Sequence, residues 1–167
     1  MSACGHVAGI HDALVGLASE LKRRIDLDGD LDDVPRLMVV IERADATLRH
    51  LARYWEAFRQ KDDPKKSPAI TALEDVLIEG RQARIHVIYD GPANAGAREQ
   101  FATVILARVS TGMWRRLAPI VDPAPKSSPL PGRVHVVQEG DAHPAQVLLM
   151  TDAEAADWLT ATAAGGI

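Results

Sequence analysis

Two glycines in the middle of the chain, Gly91 and Gly96, bracket the stretch whose residues are best suited to binding a ligand. The stretch follows a predicted strand and precedes a predicted helix, so backbone N–H groups there could hold an anion such as phosphate. Asn94 and Arg98 would add a polar and a cationic side chain. The glycine spacing matches a Walker A loop, but Ala97 and Arg98 stand where that loop requires Lys and Ser/Thr. A plain strand-to-helix turn explains the same residues, and both interpretations stay open.

An acidic run between the first two predicted helices has part of the pattern of a calcium-binding loop. Asp26, Asp28 and Asp30 match the first, third and fifth ligand positions of an EF-hand. Leu31 stands where that loop needs glycine, and Leu37 stands where it needs a bidentate glutamate. The run is typical of an interhelix turn whose carboxylates cap the following helix. The sequence therefore predicts no calcium site.

Histidines and carboxylates also occur near each other on predicted strands. If Gln138 pairs with Ala145 in a hairpin, His135 lies opposite Leu148, five residues from His143. The two histidines are then about 17 Å apart at ~3.4 Å per residue. That is too far for one metal ion; the four histidine and acidic residues there are His135, Glu139, Asp141 and His143. On an earlier strand, alternation points His86 and Tyr89 to opposite faces, so they cannot act together as acid and base. The sequence predicts no catalytic residue, metal or cofactor and favours a protein that is not an enzyme.

The clearest pattern in the chain is a heptad that runs from Val34 to Phe58. Every a and d position of this heptad is apolar, which predicts one long helix with an apolar stripe. Such a helix must pack along another helix, either within the chain or in a second chain. Met38, Val39 and Val40 lie off the stripe, so we expect a third element or a second chain to cover the start of the helix. The predicted interface residues are Val34, Leu37, Ile41, Leu48, Leu51, Trp55 and Phe58.

The hydrophobic periodicity predicts an α+β, mostly helical fold with the order α-α-α-β-α-β-β-α. We expect an antiparallel helical hairpin over 1–60, a charged linker over 61–68 and an α/β region over 69–167, together forming one compact unit. The predicted elements of the last region are a helix over 69–80, a strand over 84–90, a helix over 95–117, a β-hairpin of 133–138 with 145–150, and a final helix. Thr151 and Glu154 form a capping box at the start of that helix.

Composition limits the classes of protein to which the chain can belong. The formal net charge of −4 makes a dedicated nucleic-acid-binding protein unlikely. Cys4 is the only cysteine, which excludes an intrachain disulfide and fits a reducing compartment. No apolar run approaches the ~20 residues of a membrane span. We therefore expect a soluble cytoplasmic protein without a membrane partner.

These observations lead to three functional hypotheses. The first is a non-enzymatic interaction or assembly protein, such as a small subunit, adaptor or structural component, including one from a phage or mobile element. It would form a homo-oligomer or bind a protein partner through the heptad helix. The alternative is a small-ligand or phosphate-binding protein, or an enzyme, with its site at 91–98. The third is a nucleic-acid-associated factor that uses the arginines of the second helix, although Glu42, Asp45 and Glu56 interrupt them.

Overall fold

The computed structural model describes residues 3–27, 31–91, 99–107, 109–118 and 130–164. Those residues form five helices and five strands, and the strands make two small sheets, so the predicted α+β class is confirmed. The predicted order is wrong, because the described elements follow the order α-β-α-α-β-β-α-β-β-α. The chain divides into two compact units, Met1–Gln100 and Phe101–Ile167. The predicted helical region 1–60 and the stretch 61–68 both lie inside the first unit.

The first unit is built around a parallel pair of strands. Its elements are α1 (Ala3–Ile25), β1 (Leu37–Ile41), α2 (Ala44–Phe58), α3 (Pro68–Glu79) and β2 (Ile85–Tyr89). The strands pair in register from Leu37 with Ile85 to Ile41 with Tyr89, and two helices lie between them in the chain. A long helical connection of this kind is what parallel neighbours require. The strand predicted over 84–90 is confirmed as β2.

The predicted long helix over 34–58 is wrong in its first third, because Leu37–Ile41 form a strand. The run Leu-Met-Val-Val-Ile fits a heptad, but its β-branched residues also favour a strand, and pairing with β2 decides between the two. The chain then turns at Arg43, whose φ of 46° is left-handed, before α2 begins. The predicted helical hairpin is also not formed as expected, since α1 packs most extensively against α3 rather than α2.

The core of the first unit lies between the helices and one face of the sheet. Leu51 and Leu73 are 1% and 2% exposed, and Ile85 is 2% exposed. Full burial of one such side chain contributes roughly 1.5–3 kcal/mol. Two clusters share this core: Leu14, Ile41, Ala44, Leu51, Ala69 and Leu73 form one, and Leu21, Val76, Ala83 and Ile85 form the other.

The second unit contains an antiparallel sheet in the order β3-β4-β5. Its elements are β3 (Thr103–Leu106), α4 (Thr111–Leu117), β4 (Arg133–Gln138), β5 (Asp141–Gln146) and α5 (Asp152–Ala164). The helix predicted over 95–117 is wrong at β3, where Thr, Val and Ile favour a strand. The capping box is confirmed, because the Glu154 backbone N–H donates to Thr151 Oγ1 at 3.3 Å and the Thr151 N–H donates to Glu154 Oε2 at 2.7 Å.

The hairpin of the second unit turns earlier than the sequence pattern predicts. Gln138 pairs with Asp141 rather than with Ala145, so the turn contains only Glu139 and Gly140. Both turn residues have positive φ, 51° and 92°, as a two-residue hairpin turn requires. This register places His135 opposite Pro144 and His143 opposite Val136. The two histidines therefore point to opposite faces of the sheet.

Candidate interaction surface

The β1–β2 sheet has one covered face and one exposed face. Val39 and Val87 point toward the helices and pack against the core of the first unit. On the other face, Met38 is 57%, Val40 is 60% and Ile88 is 52% exposed. Met38 lies opposite the half-buried His86, and Val40 lies opposite Ile88. We call these four residues, Met38, Val40, His86 and Ile88, the exposed sheet face.

An exposed apolar face is unusual for a parallel sheet. Parallel strands occur almost only in sheets that are covered on both faces, and their sequences are then continuous apolar runs. All five residues of β1 are apolar. A strand with one face in water would instead alternate apolar and polar residues. The composition of β1 is therefore that of a strand covered on both sides, although only one side is covered within the described part of the first unit.

A buried arginine fixes the amino-terminal ends of both strands. Arg24 on α1 is 6% exposed, and its Nη1 donates to the carbonyl groups of Pro35 at 2.9 Å and Ala83 at 3.2 Å. Pro35 comes just before β1 and Ala83 just before β2. Arg24 Nε also donates to Glu20 Oε1 at 2.7 Å, which leaves the guanidinium well paired in spite of its burial. One side chain thus joins α1 to both strands.

The carboxylate of Glu20 accepts hydrogen bonds from two arginines. Besides Arg24, it binds Arg23, whose Nε and Nη2 donate at 2.7 and 2.8 Å. Hydrogen bonds from Arg23, then those from Arg24, lower the pKa of Glu20 to about 2. Glu20 therefore stays ionised at any pH near neutral.

The loop before β1 is held by a second arginine. Arg84 has a left-handed backbone, with φ of 56°, and its Nη1 donates to the carbonyl groups of Leu31 and, at 2.9 Å, Asp32. The Arg84 carbonyl in turn accepts from the Leu37 N–H at 2.9 Å. The start of β1 is therefore fastened to the start of β2 by both a side chain and the backbone.

At their carboxyl-terminal ends, the two strands are joined to each other and to the start of α2 by backbone hydrogen bonds. The Asp90 N–H donates to the Ile41 carbonyl at 2.9 Å, and the Ala44 N–H donates to the Asp90 carbonyl at 2.8 Å. Gly91 has φ of 142°, and a Cβ there would lie 3.3 Å from Ala44 N. Gly91 therefore serves a close approach of two backbones. Burial, and secondarily the charge of Asp45, raises the pKa of Tyr89 beside this junction.

An open cleft of about 610 Å³ lies at the carboxyl end of β1. Its apolar wall comes from α1, β1 and α2, and its polar side chains include Glu42, Arg43 and Thr47. Val40 contributes to the lining of this cleft and also to the exposed sheet face. In sheets of parallel strands, ligands bind outside the carboxyl ends of the strands, which is where this cleft lies.

Most of the interface residues predicted from the heptad are buried or half-buried within the first unit. Ile41 is 8% and Leu51 is 1% exposed, so neither can contact another chain in this fold. Leu37 and Leu48 are half-buried against the core, and Val34 is also half-buried. The remaining two predicted residues, Trp55 and Phe58, lie at the end of α2.

That end of α2 carries an aromatic cluster that contacts α1. His11 stacks on Trp55 with ring centroids 5.6 Å apart and an angle of 10°, and it lies 5.5 Å from Tyr54. Trp55 Nε1 donates to the Pro64 carbonyl at 2.8 Å and so fixes the connection to α3. Phe58 packs on Tyr54 at 4.9 Å but is 61% exposed. Of the predicted interface residues, Phe58 is the most exposed.

The predicted ligand loop is only partly described. Gly91 lies against the start of α2, whereas Asn94, Gly96 and Arg98 fall outside the described residues. Among the residues described after this gap, the helix predicted over 95–117 is not continuous, because the first regular element there is strand β3.

The second unit also exposes apolar residues, at its C-terminal end. Leu148 is 75% and Leu149 is 100% exposed, and Trp158 and Leu159 on α5 are 58% and 61% exposed. Along residues 152–161 of α5, Ala155 is the one side chain that is partly covered. Because these side chains are mostly exposed, α5 gains little stability from packing over residues 152–161. An isolated helix of this length is only marginally stable in water.

Searches for other kinds of site give no candidates in the described part of the chain. No three His, Cys, Asp or Glu side chains there are grouped so that they could hold a metal ion. None of the described helices is both long and apolar enough to span a membrane. Comparison with protein-family models, curated proteins and solved structures found no match to this chain.

Proposed function

We propose that this chain is an interaction or assembly protein, and that the exposed sheet face is where another polypeptide binds. The observation that carries the proposal is the exposure of Met38, Val40 and Ile88, each more than half accessible on one face of a parallel sheet. The proposal keeps the leading hypothesis from the sequence but moves the contact from the heptad stripe to the sheet.

The energetics favour covering this face. Burying the exposed parts of the three side chains would contribute about 2–4 kcal/mol, before the cost of ordering the partner. The face is also preformed, because Arg24 and Arg84 fix the starts of both strands and backbone hydrogen bonds fix their ends. A preformed apolar surface binds with less loss of conformational entropy than a mobile one.

The test is the mass of the particle that contains the chain. The tagged protein is purified gently from its own cells and measured by light scattering behind a sizing column. We expect a mass well above the 18.1 kDa of one chain. Val40→Lys should reduce it to 18.1 kDa, because a lysine on the exposed sheet face prevents a dry contact.

A matched control separates this effect from a general effect of added charge. Ile78 on α3 is 61% exposed, nearly the same as Val40, and lies outside the exposed sheet face. Ile78→Lys should leave the particle mass unchanged. The proposal fails if the wild-type particle already has the mass of one chain, or if the two lysine variants behave alike.

A second function has one specific observation in its favour. The cleft lies at the carboxyl end of β1, and ligands of open parallel sheets bind outside the carboxyl ends of the strands. Small-ligand or phosphate binding would raise the melting temperature in millimolar inorganic phosphate or nucleotide. An unchanged melting temperature with both would remove this candidate.

A further inference from the structure

We propose that the partner covers the exposed sheet face with one amphipathic helix that runs antiparallel to β1 and β2. This inference rests on the proposed function and specifies the chemistry of the partner. The covered face of the same sheet already packs against helices, and helices are the layer that parallel sheets take on both faces. Within the described part of the first unit the strand pair therefore lacks one layer, and a helix is the element that would supply it.

The dimensions of the face fit a single helix. Each strand has five residues, so the face is about 17 Å long at ~3.3 Å per residue. That length corresponds to about 11 residues, or three turns, of helix at ~1.5 Å per residue. Two strands ~4.8 Å apart form a strip about 10 Å wide, which is close to the diameter of one helix. A second helix would have no apolar surface beneath it.

Charged residues at the two ends of the face favour one direction for this helix. Exposed Arg36 precedes β1 and has the same alternation as Met38 and Val40, so it extends the face at the amino-terminal end. Exposed Asp90 extends it at the carboxyl-terminal end, and exposed Glu42 follows β1 there. A helix has a partial positive charge at its N-terminus and a partial negative charge at its C-terminus. Its N-terminus therefore belongs near Asp90 and its C-terminus near Arg36.

A second copy of this chain fits the face poorly. Helix α5 has Asp152 and Glu154 in its first turn, and in the favoured direction these would meet Asp90. Sheet-on-sheet pairing of two copies would use a face of about 17 by 10 Å, far below the ~800 Å² per partner of a stable interface. A partner helix that is longer than the ~17 Å face can extend its contact beyond both ends of the strands.

The test uses a stapled 18-residue helical peptide with one apolar stripe, lysines in its first turn and glutamates in its last turn. It is titrated to millimolar concentration into the full-length protein, and binding is followed by NMR. We expect shifts at the methyl groups of Met38, Val40 and Ile88. A spin label on the peptide N-terminus should broaden the Asp90 amide more than the Arg36 amide. A peptide with the two charged ends exchanged should bind about fivefold more weakly.

Each outcome decides the inference. Shifts on the exposed sheet face that Val40→Lys abolishes and Ile78→Lys retains, with broadening at Asp90, support it. No shifts at millimolar peptide, shifts elsewhere, or stronger broadening at Arg36 overturn it. If the peptide fails while the particle mass still depends on Val40, the proposed interaction function stands and the helical partner is wrong. If the mass does not depend on Val40, the interaction function itself is wrong.

Discussion

Replacing Arg24 with methionine tests whether one buried guanidinium holds the parallel sheet in place. Arg24 joins α1 to the residues before both strands through the carbonyl groups of Pro35 and Ala83. Methionine keeps an unbranched apolar side chain of similar length but cannot donate. The Arg24→Met variant therefore removes the hydrogen bonds and the charge while it keeps most of the packing.

The expected loss follows from the contacts of the guanidinium. Hydrogen bonds from a charged donor contribute about 1.5–3 kcal/mol each, and an acceptor left buried without a partner adds a further cost. Three carbonyl groups, those of Pro35, Ala83 and, at 3.5 Å, Arg84, and one oxygen of Glu20 lose a donor in the variant. Because methionine recovers part of this through apolar packing, we expect the free energy of unfolding to fall by about 3–5 kcal/mol.

Urea unfolding followed by circular dichroism at 222 nm measures this loss. At an m value of ~2 kcal/mol per M, the midpoint should fall by roughly 1.5–2.5 M. The control is Arg23→Met, which removes the other arginine bound to Glu20, since Arg23 is exposed and its guanidinium binds Glu20 rather than the ends of the strands. A midpoint for Arg24→Met within 0.5 M of the control, an order-of-magnitude threshold of about 1 kcal/mol, would refute the role given to Arg24.

Three further substitutions test other parts of the structure. His11 Nε2 is buried and has no hydrogen-bond partner among the described residues, so His11→Phe, which keeps the stacking on Trp55, should leave stability unchanged or raise it by about 1 kcal/mol. A clear loss of stability in urea unfolding would contradict this. Because the pKa of Glu20 is lowered from 4.5 to about 2, its contribution to stability is present above pH 4.5 and is lost as the pH falls toward 2. Glu20→Gln should flatten the stability profile in that window, and an unchanged profile would show that other carboxylates cause it. Thr151→Ala should destabilise α5 by about 1 kcal/mol and reduce the helical signal, whereas equal helicity would mean that the capping box is not needed.

The elements that could be predicted from sequence are those whose periodicity has one interpretation. Helix α3 and strand β2 agree with their predicted positions, 69–80 and 84–90, within a few residues, because the apolar spacing of each fits only one type of element. The stretch 34–58 fits two. Leu37 and Ile41 occupy heptad positions, but the whole run Leu37–Ile41 also suits a buried parallel strand, and only the presence of β2 as a partner, 44 or more residues away in the chain, selects the strand.

The hairpin of the second unit shows a different limit. His143 and Pro144 resemble loop residues, yet both lie in β5, which has β4 on one side and forms the edge of its sheet. Proline is tolerated on an edge strand because its missing N–H can face away from the ladder. The two-residue turn at Glu139 and Gly140 therefore sets the register, and the proline does not end the strand.

The candidate surface was only partly foreseeable. Met38, Val39 and Val40 all lie off the predicted helical stripe; in the structure Val39 packs against the core, whereas Met38 and Val40 are exposed. Alternate positions along a strand would have grouped these two residues on one face. His86 and Ile88 join them only through the register of two strands with two helices between them, and no local pattern in the sequence contains that pairing.

Site-specific photo-crosslinking in the protein's own cells tests the central claim most directly. A photoreactive amino acid is placed at position 40 on the exposed sheet face or, as the control, at the equally exposed position 78 on α3. We predict that position 40 gives one discrete adduct that contains a second polypeptide, and that position 78 does not give it. Equal adducts at both positions, or none at position 40, would contradict the claim that this face binds another chain.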